Sequence, residues 1–303
     1  MTNCTAGRGD EISGGAASVL RLVRVAEPTS VGHSGTRVLC LVSTNGANHD
    51  DNLEAVRSTW GWRCHGFLAF SDTMDLNRSA VVAPVPEGRA PAWQSVRSMW
   101  RYISYHYASE FDWFLSVNDD AMVIVENLVA YLGRPGLQAQ RASGSGTYLG
   151  FRLVAPNPDF PGPYNSGGAG YVLDRAALHK MMTCMDAEDG CGAAIMAHDL
   201  AEDMALGSSL HAAGVFAYEA RDELHRNRFH PFSPETIPAS DGRDWLGEYT
   251  KKNEHAKFGL EDISPETVTF DGLHDSALLF AHRYLYYCLH APSTPVVAGL
   301  STT

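Results

Sequence analysis

The chain has 303 residues, of which 45% are hydrophobic and 19% charged, a composition typical of a globular protein with a sizeable core. Its net charge of -12 excludes nucleic acid and an anionic membrane surface as the main partner. No run of about 18 apolar residues occurs, so the sequence predicts no transmembrane helix. The apolar stretch at residues 16–26 is interrupted by Arg21 and Arg24, which excludes a secretory signal or an anchor there.

The first part of the chain alternates strand-like and helix-like pieces. Strands are expected over residues 37–44, 66–70 and 81–82. Asp50 or Asp51 is a candidate cap for a helix over residues 53–60. The amino terminus is rich in Gly, Ser and Thr, so we expect residues 1–35 to be a poorly ordered leader. No internal repeat or linker is evident, so a single domain is expected over residues 36–290, followed by a tail at 291–303.

An amphipathic helix and an acidic triplet follow. The helix is predicted from apolar residues that step by three and four, namely Trp93, Val96, Trp100, Ile103 and Tyr107. It leads into a buried strand over residues 113–117, which ends at Asn118, Asp119 and Asp120. Open α/β sheets gather ligand groups at such strand ends. Adjacent carboxylates are costly to bury, so this is either a solvated acidic turn or a cation site.

The second part of the chain contains three further features. Gly167, Gly168 and Gly170 precede a strand at 171–173 and predict a close approach of backbone to a ligand or another strand. A helix begins at residue 201, and its first turn carries Glu202 and Asp203, where the helix dipole alone would favour acids. Residues 277–282 are expected to form a strand that ends in His282, a residue that is either a ligand or an ordinary surface or core histidine.

Cysteines and glycosylation sequons bear on whether the protein folds in an oxidising cellular compartment. Two cysteine pairs are close enough in sequence to be disulfides in an oxidising compartment, or they are simply buried thiols: Cys40 with Cys64, and Cys184 with Cys191. Asn3-Cys4-Thr5 and Asn77-Arg78-Ser79 are glycosylation sequons, a short pattern that also arises by chance.

Taken in order, these pieces resemble the core 1 β1,3-galactosyltransferase branch of the fringe-like β1,3-glycosyltransferases. The resemblance runs from about Arg37 to Tyr284. It is carried by Arg57-Ser58-Thr59-Trp60 with Arg63-Cys64, by Trp93, by the strand before the acidic triplet, by residues 166–173 and 202–207, and by Phe229-His230-Pro231-Phe232-Ser233-Pro234-Glu235. It implies a single GT-A catalytic domain over residues 36–290, with a mixed, mostly parallel sheet flanked by helices and a nucleotide site at the strand carboxyl ends.

The resemblance also implies roles for particular residues. Asp120 and His282 would bind Mn²⁺, or alternatively Mg²⁺, and Asp203 would be the catalytic base. The implied donor-binding residues are Asn118, Asp119, Arg57 and Trp60. The implied residues on the acceptor side are Gly167, Gly168, Tyr171, Glu202 and Trp245. Asn118 departs from the family, which has an acid at this position, and Asp271 to His274 stand where the family has paired cysteines.

The activity implied is inverting, metal-dependent transfer of galactose from UDP-galactose to the 3-hydroxyl of an acceptor sugar, with GalNAc-α-Ser/Thr as the expected acceptor. Two alternatives remain open. One is a fringe-like β1,3-transferase with another donor or acceptor, for example GlcNAc, and the other is a catalytically silent chaperone or binding protein. The expected partners are a UDP-sugar and a glycan or glycopeptide, with no nucleic acid. By resemblance the location would be the Golgi lumen or secretory pathway, and a homodimer is compatible with it.

Overall fold

The chain forms short strands and helices in alternation. The computed structural model describes residues 13–27, 36–83, 92–155, 162–187, 201–252 and 255–290. Its strands are β1 Val38–Ser43, β2 Gly66–Phe70, β3 Ala80–Val81, β4 Trp113–Asn118, β5 Met122–Val123, β6 Tyr148–Gly150, β7 Arg152–Val154, β8 Pro163–Asn165, β9 Tyr171–Asp174, β10 Ala217–Glu219, β11 Phe229–His230 and β12 Thr269–Phe270. Its α-helices are α1 Gly14–Leu20, α2 Glu54–Thr59, α3 Ala92–His106, α4 Val125–Leu132, α5 Pro135–Ala142, α6 Arg175–Asp186, α7 Glu202–Ala212, α8 Trp245–Thr250 and α9 Asp275–Arg283.

A seven-stranded sheet in the order β10-β6-β9-β4-β1-β2-β3 forms the centre. Strand β1 is parallel to both β2 and β4, whereas β9 is antiparallel to β4 and β6. A smaller sheet pairs β11 parallel to β12, and β12 antiparallel to β5. The sheet is therefore mixed but mostly parallel, as the resemblance implied.

Helices cover both faces of this sheet, which is why β1 and β4 are apolar at nearly every position. Alternate side chains of a strand point to opposite faces. Cys40 and Val42 of β1 belong to one buried cluster, whereas Leu39 and Leu41 belong to a second. The second cluster includes Trp100 of α3, so the aromatic stripe predicted on this helix is core.

Three expectations about local structure are wrong. Residues 13–27 are not a poorly ordered leader, because α1 buries Val19 and Leu20 in the first cluster. Residues 277–282 are not a strand, because they lie within α9. Asp50 and Asp51 do not cap α2 either, since they belong to a π-helical turn, His49–Leu53, that runs directly into it. Residues 1–12, 28–35 and the tail at 291–303 lie outside the described part of the chain.

Within the described ranges, no helix combines the length and the apolar composition needed to cross a membrane.

Candidate active site

The acidic turn after β4 is held by a dense set of hydrogen bonds. Asp119 is buried, and its Oδ2 accepts from Thr44 Oγ1 at 2.5 Å and from Asn48 Nδ2 at 2.9 Å. Its Oδ1 accepts from Asn52 Nδ2 at 3.3 Å. These donors satisfy the buried charge, so Asp119 is fixed in place. Asn118, the last residue of β4, is exposed beside it.

Asp120 meets a carboxyl that the sequence reading did not assign to the site. Asp271 follows β12 directly, and the two side chains are close enough to share a hydrogen bond. Burial, with the neighbouring Asp120 carboxylate, raises the pKa of Asp271 to about 7, and burial also raises the pKa of Asp120. Oδ1 of Asp271 is buried and has no hydrogen-bond partner among the described residues. The pair therefore has spare acceptor capacity and an unfavourable concentration of negative charge.

Such a pair fits a hard divalent cation, which would replace the shared proton and take up the spare oxygen. Among the described residues, however, no group of three or more His, Cys, Asp or Glu side chains could hold a metal ion.

A histidine and an asparagine connect the two acidic segments. His274, at the start of α9, places Nε2 3.7 Å from Asp120 Oδ2. Asn52 bonds to Asp119 and also reaches α9, with Nδ2 3.3 Å from His274 Nδ1 and Oδ1 accepting from the Asp275 N–H at 2.9 Å. The sequence reading missed Asn52, Asp271 and His274. Asp271 directly follows β12, but this strand has only two residues, Thr269–Phe270, and gives no pattern in the sequence that would have marked the site.

The glycine loop adjoins both the acidic pair and the predicted base. The N–H of Gly167 donates to Asp203 Oδ2 at 2.9 Å. A Cβ atom on Gly168 would approach Asp271 Oδ2 to 2.4 Å, so only glycine leaves that carboxylate in place. Since consecutive Cα atoms are about 3.8 Å apart, Asp203 and Asp271 flank the same dipeptide.

Asp203 lies in the first turn of α7, and its Oδ1 also accepts from the Met204 N–H at 2.8 Å. Burial raises the pKa of Asp203, against the lowering effect of the two backbone donors. A carboxylate with a raised pKa is a stronger proton acceptor than an exposed one. Glu202 is close to the same loop, with Oε1 3.4 Å from the position of a Cβ on Gly167.

A cleft of about 260 Å³ opens at the carboxyl ends of β1 and β2. Its wall combines strand-end residues with one side of α3, and it is lined by Ser43, Thr44, Phe70, Ser71, Asp72, Val82, Ala83, Ser95, Val96 and Met99. Thr44 also bonds to Asp119, so the cleft adjoins the acidic turn. This is the edge at which ligands bind in open α/β sheets.

The structure does not bring His282 to Asp120. His282 lies on α9, about 12 Å further along the helix than His274 at 1.5 Å per residue. Its ring stacks on Tyr286 at a centroid distance of 4.5 Å. Burial, together with Arg63, lowers the pKa of His282 to about 4, and Nε2 has no hydrogen-bond partner among the described residues. The predicted metal pair is thereby corrected, because a helix formed where a strand was expected.

Three other predicted site residues have structural contacts. Trp60 is fully buried, and its Nε1 donates to the carbonyl of Ala121 at 2.9 Å. Because Ala121 directly follows Asp120, this bond helps to fix the acidic turn. Tyr171 is in the core, where its hydroxyl accepts from Trp100 Nε1 at 3.2 Å. Arg57 pairs with Glu54 on α2 at 3.1 Å. None of these contacts involves a ligand cleft.

Trp245 belongs to an aromatic group with the partly buried Phe232 and Tyr249, at centroid distances of 5.7 and 5.8 Å. The indole is 47% exposed. Phe232 follows β11 as Asp271 follows β12, and these strands are parallel neighbours with His230 opposite Phe270. The aromatic group therefore lies at the same sheet edge as the acidic pair.

The predicted Cys40–Cys64 disulfide is confirmed, with the two Cα atoms 6.1 Å apart. Cys184 is also disulfide-bonded, but its predicted partner Cys191 lies outside the described residues. Cys288 is disulfide-bonded as well, so no described cysteine is a free thiol.

A mostly parallel sheet flanked by helices, with an acidic turn and a cleft at its carboxyl edge, defines a GT-A-like class of protein. A family model described as Fringe-like matches residues 34–241. The chain belongs to this Fringe-like family.

Two curated relatives give more detail. The chain is 32% identical over 219 residues to glycoprotein-N-acetylgalactosamine 3-beta-galactosyltransferase 1 of Xenopus laevis, an alignment that covers 70% of this chain and 56% of the relative. It is 26% identical over 159 residues to chondroitin sulfate glucuronyltransferase of Homo sapiens, which covers 52% of this chain and 19% of the relative. The chain thus spans about half the length of the first relative and about a fifth of the second.

Proposed function

We propose that this chain is an inverting β1,3-glycosyltransferase that moves galactose from UDP-galactose to the 3-hydroxyl of an acceptor sugar, with GalNAc-α-Ser/Thr as the expected acceptor. One observation carries the proposal: a single glycine loop contacts Asp203 through Gly167 and adjoins Asp271 through Gly168. Inverting displacement needs a base on one side of the anomeric carbon and the leaving group on the other. A base and an acidic diphosphate site that adjoin neighbouring residues of one loop support that arrangement.

The donor would occupy the cleft at the ends of β1 and β2. Its volume of about 260 Å³ suits a nucleoside, and Thr44 joins the cleft wall to Asp119. The diphosphate would then extend over the acidic turn, past the exposed Asn118 and above the buried Asp119. Arg57 and Trp60 are not assigned to the donor, because Arg57 pairs with Glu54 and Trp60 is buried beneath the turn.

A diphosphate cannot approach two carboxylates without a cation. Asp120 and Asp271 would hold Mg²⁺ or Mn²⁺, whose sites often use one or two carboxylates and complete their shell with substrate phosphates and water. When bound, the cation supplies neutralisation of the charge that develops on the departing diphosphate. The unpartnered Asp271 Oδ1 and the raised pKa of both carboxyls support this assignment.

Asp203 would accept the proton of the acceptor hydroxyl as that hydroxyl attacks the anomeric carbon. The Gly167 and Met204 N–H groups hold both carboxylate oxygens in position, and burial raises the pKa of Asp203. A positioned base of this kind contributes roughly 10²–10⁴-fold to the rate. Trp245, beside the partly buried Phe232 and Tyr249, offers an exposed aromatic face on which an acceptor sugar could stack.

The location proposed is the Golgi lumen or another secretory compartment. The galactosyltransferase similarity and the Cys40–Cys64 disulfide support it, since disulfides persist in oxidising compartments. The partners proposed are a UDP-sugar and a glycan or glycopeptide acceptor.

A donor screen tests the proposal. Purified protein is mixed with a GalNAc-α-Ser peptide and with UDP-galactose, UDP-GlcNAc or UDP-glucuronic acid, with Mn²⁺ or with excess chelator, and UDP release and the product linkage are measured. We expect β1,3-galactose transfer that requires the cation. Transfer of GlcNAc or glucuronic acid would replace the proposed donor. Donor binding with no transfer from any UDP-sugar would indicate a catalytically silent relative.

A further inference from the structure

The connection between β2 and β3 carries the sequon Asn77-Arg78-Ser79 on the protein surface. A single 3₁₀ turn, Leu76–Arg78, presents it, and the turn ends at Ser79 in the left-handed conformation with φ of 55°. Asn77 is exposed, and its carboxamide has no hydrogen-bond partner among the described residues. The side chain is therefore accessible and uncommitted.

The turn does not depend on the Asn77 side chain for its shape. Asp75 Oδ1 accepts from the N–H groups of Asn77 and Arg78, at 3.1 and 3.3 Å. The Arg78 guanidinium bonds to Asp75 at 2.6 Å and to Asp50 at 2.7 Å. Since Asp75 and Arg78 supply the stabilising contacts, a bulky group on Asn77 can project into solvent without breaking any of them.

Exposed apolar side chains lie on both sides of the sequon. Met74 is 61% exposed and Leu76 is 74% exposed, and neither side chain packs on the core. A hydrophilic group attached at Asn77 would cover these two side chains from water and from other proteins.

The disulfides give independent information about the compartment. Cys40–Cys64 is formed, Cys184 and Cys288 are also bonded, and no described cysteine is free. Disulfides of this kind form in the secretory pathway, the compartment in which Asn-X-Ser sequons are modified. The sequon, the exposed uncommitted Asn77 and the oxidised cysteines therefore agree.

We propose that Asn77 carries an N-linked oligosaccharide. The donor class is a lipid-diphosphate-linked oligosaccharide. The Asn77 Nδ2 atom bonds to C1 of the first sugar, the C1–O bond to the diphosphate breaks, and the amide proton leaves with the lipid diphosphate. The modification does not depend on the proposed transferase activity of this chain. An Asp203→Asn variant is therefore expected to carry the same oligosaccharide.

The test uses the full chain, secreted from cultured eukaryotic cells behind a cleavable signal peptide. An Asn3→Gln background removes the other sequon, so that only Asn77 can be modified. We expect peptide N-glycosidase to lower the intact mass of this protein and to convert Asn77 to Asp in its tryptic peptide. Asn77→Gln and Ser79→Ala, each added to that background, should abolish both changes, while Ser79→Thr should retain them.

An unmodified peptide containing Asn77, from secreted Asn3→Gln protein whose mass does not respond to the glycosidase, would overturn the proposal. The measurement on Asn3→Gln protein leaves the Asn77 site intact, so it is decisive even where a variant fails to be secreted. The same protein assayed with UDP-galactose separates this result from the proposed function.

Discussion

At the scale of single residues, Asp203 is the side chain on which the proposed chemistry depends most directly. Asp203→Asn should lower turnover by roughly 10²–10⁴-fold, because the amide keeps the shape but cannot accept the acceptor proton. Donor affinity should stay within about twofold, since the loss is confined to the transition state. Initial rate, donor affinity and melting temperature measured on the same protein check this. Exposed Asp51→Asn is the control and should keep the parent rate, and a near-normal rate for Asp203→Asn would make Asp203 a helix-start residue only.

The cation site provides a second residue-scale prediction. Asp120→Asn and Asp271→Asn should each weaken Mn²⁺ binding in the presence of UDP by at least roughly tenfold, the loss found even for outer partners of metal ligands. Free Mn²⁺ is measured by electron paramagnetic resonance. His282→Gln should change the melting temperature and leave Mn²⁺ affinity intact, because His282 packs on Tyr286 instead of facing Asp120. The reverse result would restore the pairing of Asp120 with His282 that the sequence suggested.

At the scale of elements, the strands and helices that the sequence predicts correctly have a long apolar run or a periodic apolar pattern. The apolar runs of β1 and β4 and the stripe on α3 indicate their structures directly. The run Ala277 to His282 has no period that separates strand from helix, and its interpretation was wrong. Asp271 was missed because two-residue strands such as β5 and β12 leave no pattern, yet their pairing brings Asp271 to Asp120.

The glycine loop makes an element-scale prediction. Gly168→Ala should displace the Asp271 carboxylate, because the new methyl group would lie 2.4 Å from Oδ2. The displaced atom ends a flexible side chain, so Mn²⁺ affinity should fall while the free energy of unfolding changes by less than about 1 kcal/mol. Gly136→Ala is the control, since a Cβ there meets no atom within 4 Å. Equal Mn²⁺ affinity in both variants would show that the loop does not shape the site.

The Cys40–Cys64 disulfide ties β1 to the segment before β2 across a sequence separation of 24 residues. Loop-closure arithmetic gives about 3 kcal/mol for a loop of this size. The Cys40→Ala, Cys64→Ala double variant should lose about that much in urea unfolding under non-reducing conditions. Coincident unfolding curves for the variant and the parent would contradict this estimate.

At the scale of the whole molecule, buried carboxyls should make stability depend on pH. Burial raises the pKa of Asp262 from 3.8 to about 7, although Asn227 donates to both of its oxygens. Between about pH 4 and 7 the folded chain therefore binds a proton that the unfolded chain has lost. The contribution of Asp262 to the free energy of unfolding should therefore fall as pH rises through this window, by at most about 1.4 kcal/mol per pH unit. Burial lowers the pKa of His230 to about 3 and of His282 to about 4, so these two groups contribute with the opposite sign below about pH 6.5.

Asp262→Asn should shift the slope of stability against pH upward by the Asp262 contribution, because the amide does not titrate while Asp271, His230 and His282 are unchanged. Urea midpoints from pH 4 to 8, measured in chelator to exclude cations, give the slope. The substitution also removes one hydrogen bond of Asp262, which lowers the free energy of unfolding by about 1 kcal/mol at every pH. The slope of this free energy against pH is therefore compared, and not its absolute value. Exposed Asp51→Asn should keep the parent slope, and a parent-like slope in Asp262→Asn would assign the pH dependence to other groups.

The contact between Asn52 and His274 spans 222 residues of sequence. A ribosome makes the chain from its amino end, so Asn52, Asp119 and Asp120 emerge long before Asp271 and His274 can join them. The nascent chain can fold its central sheet while the carboxylate pair is still incomplete. The proposed donor and cation could therefore assist only the final docking of α9 and not the early steps of folding, and a premature stop before residue 271 would remove one of the two carboxylates of the proposed cation site.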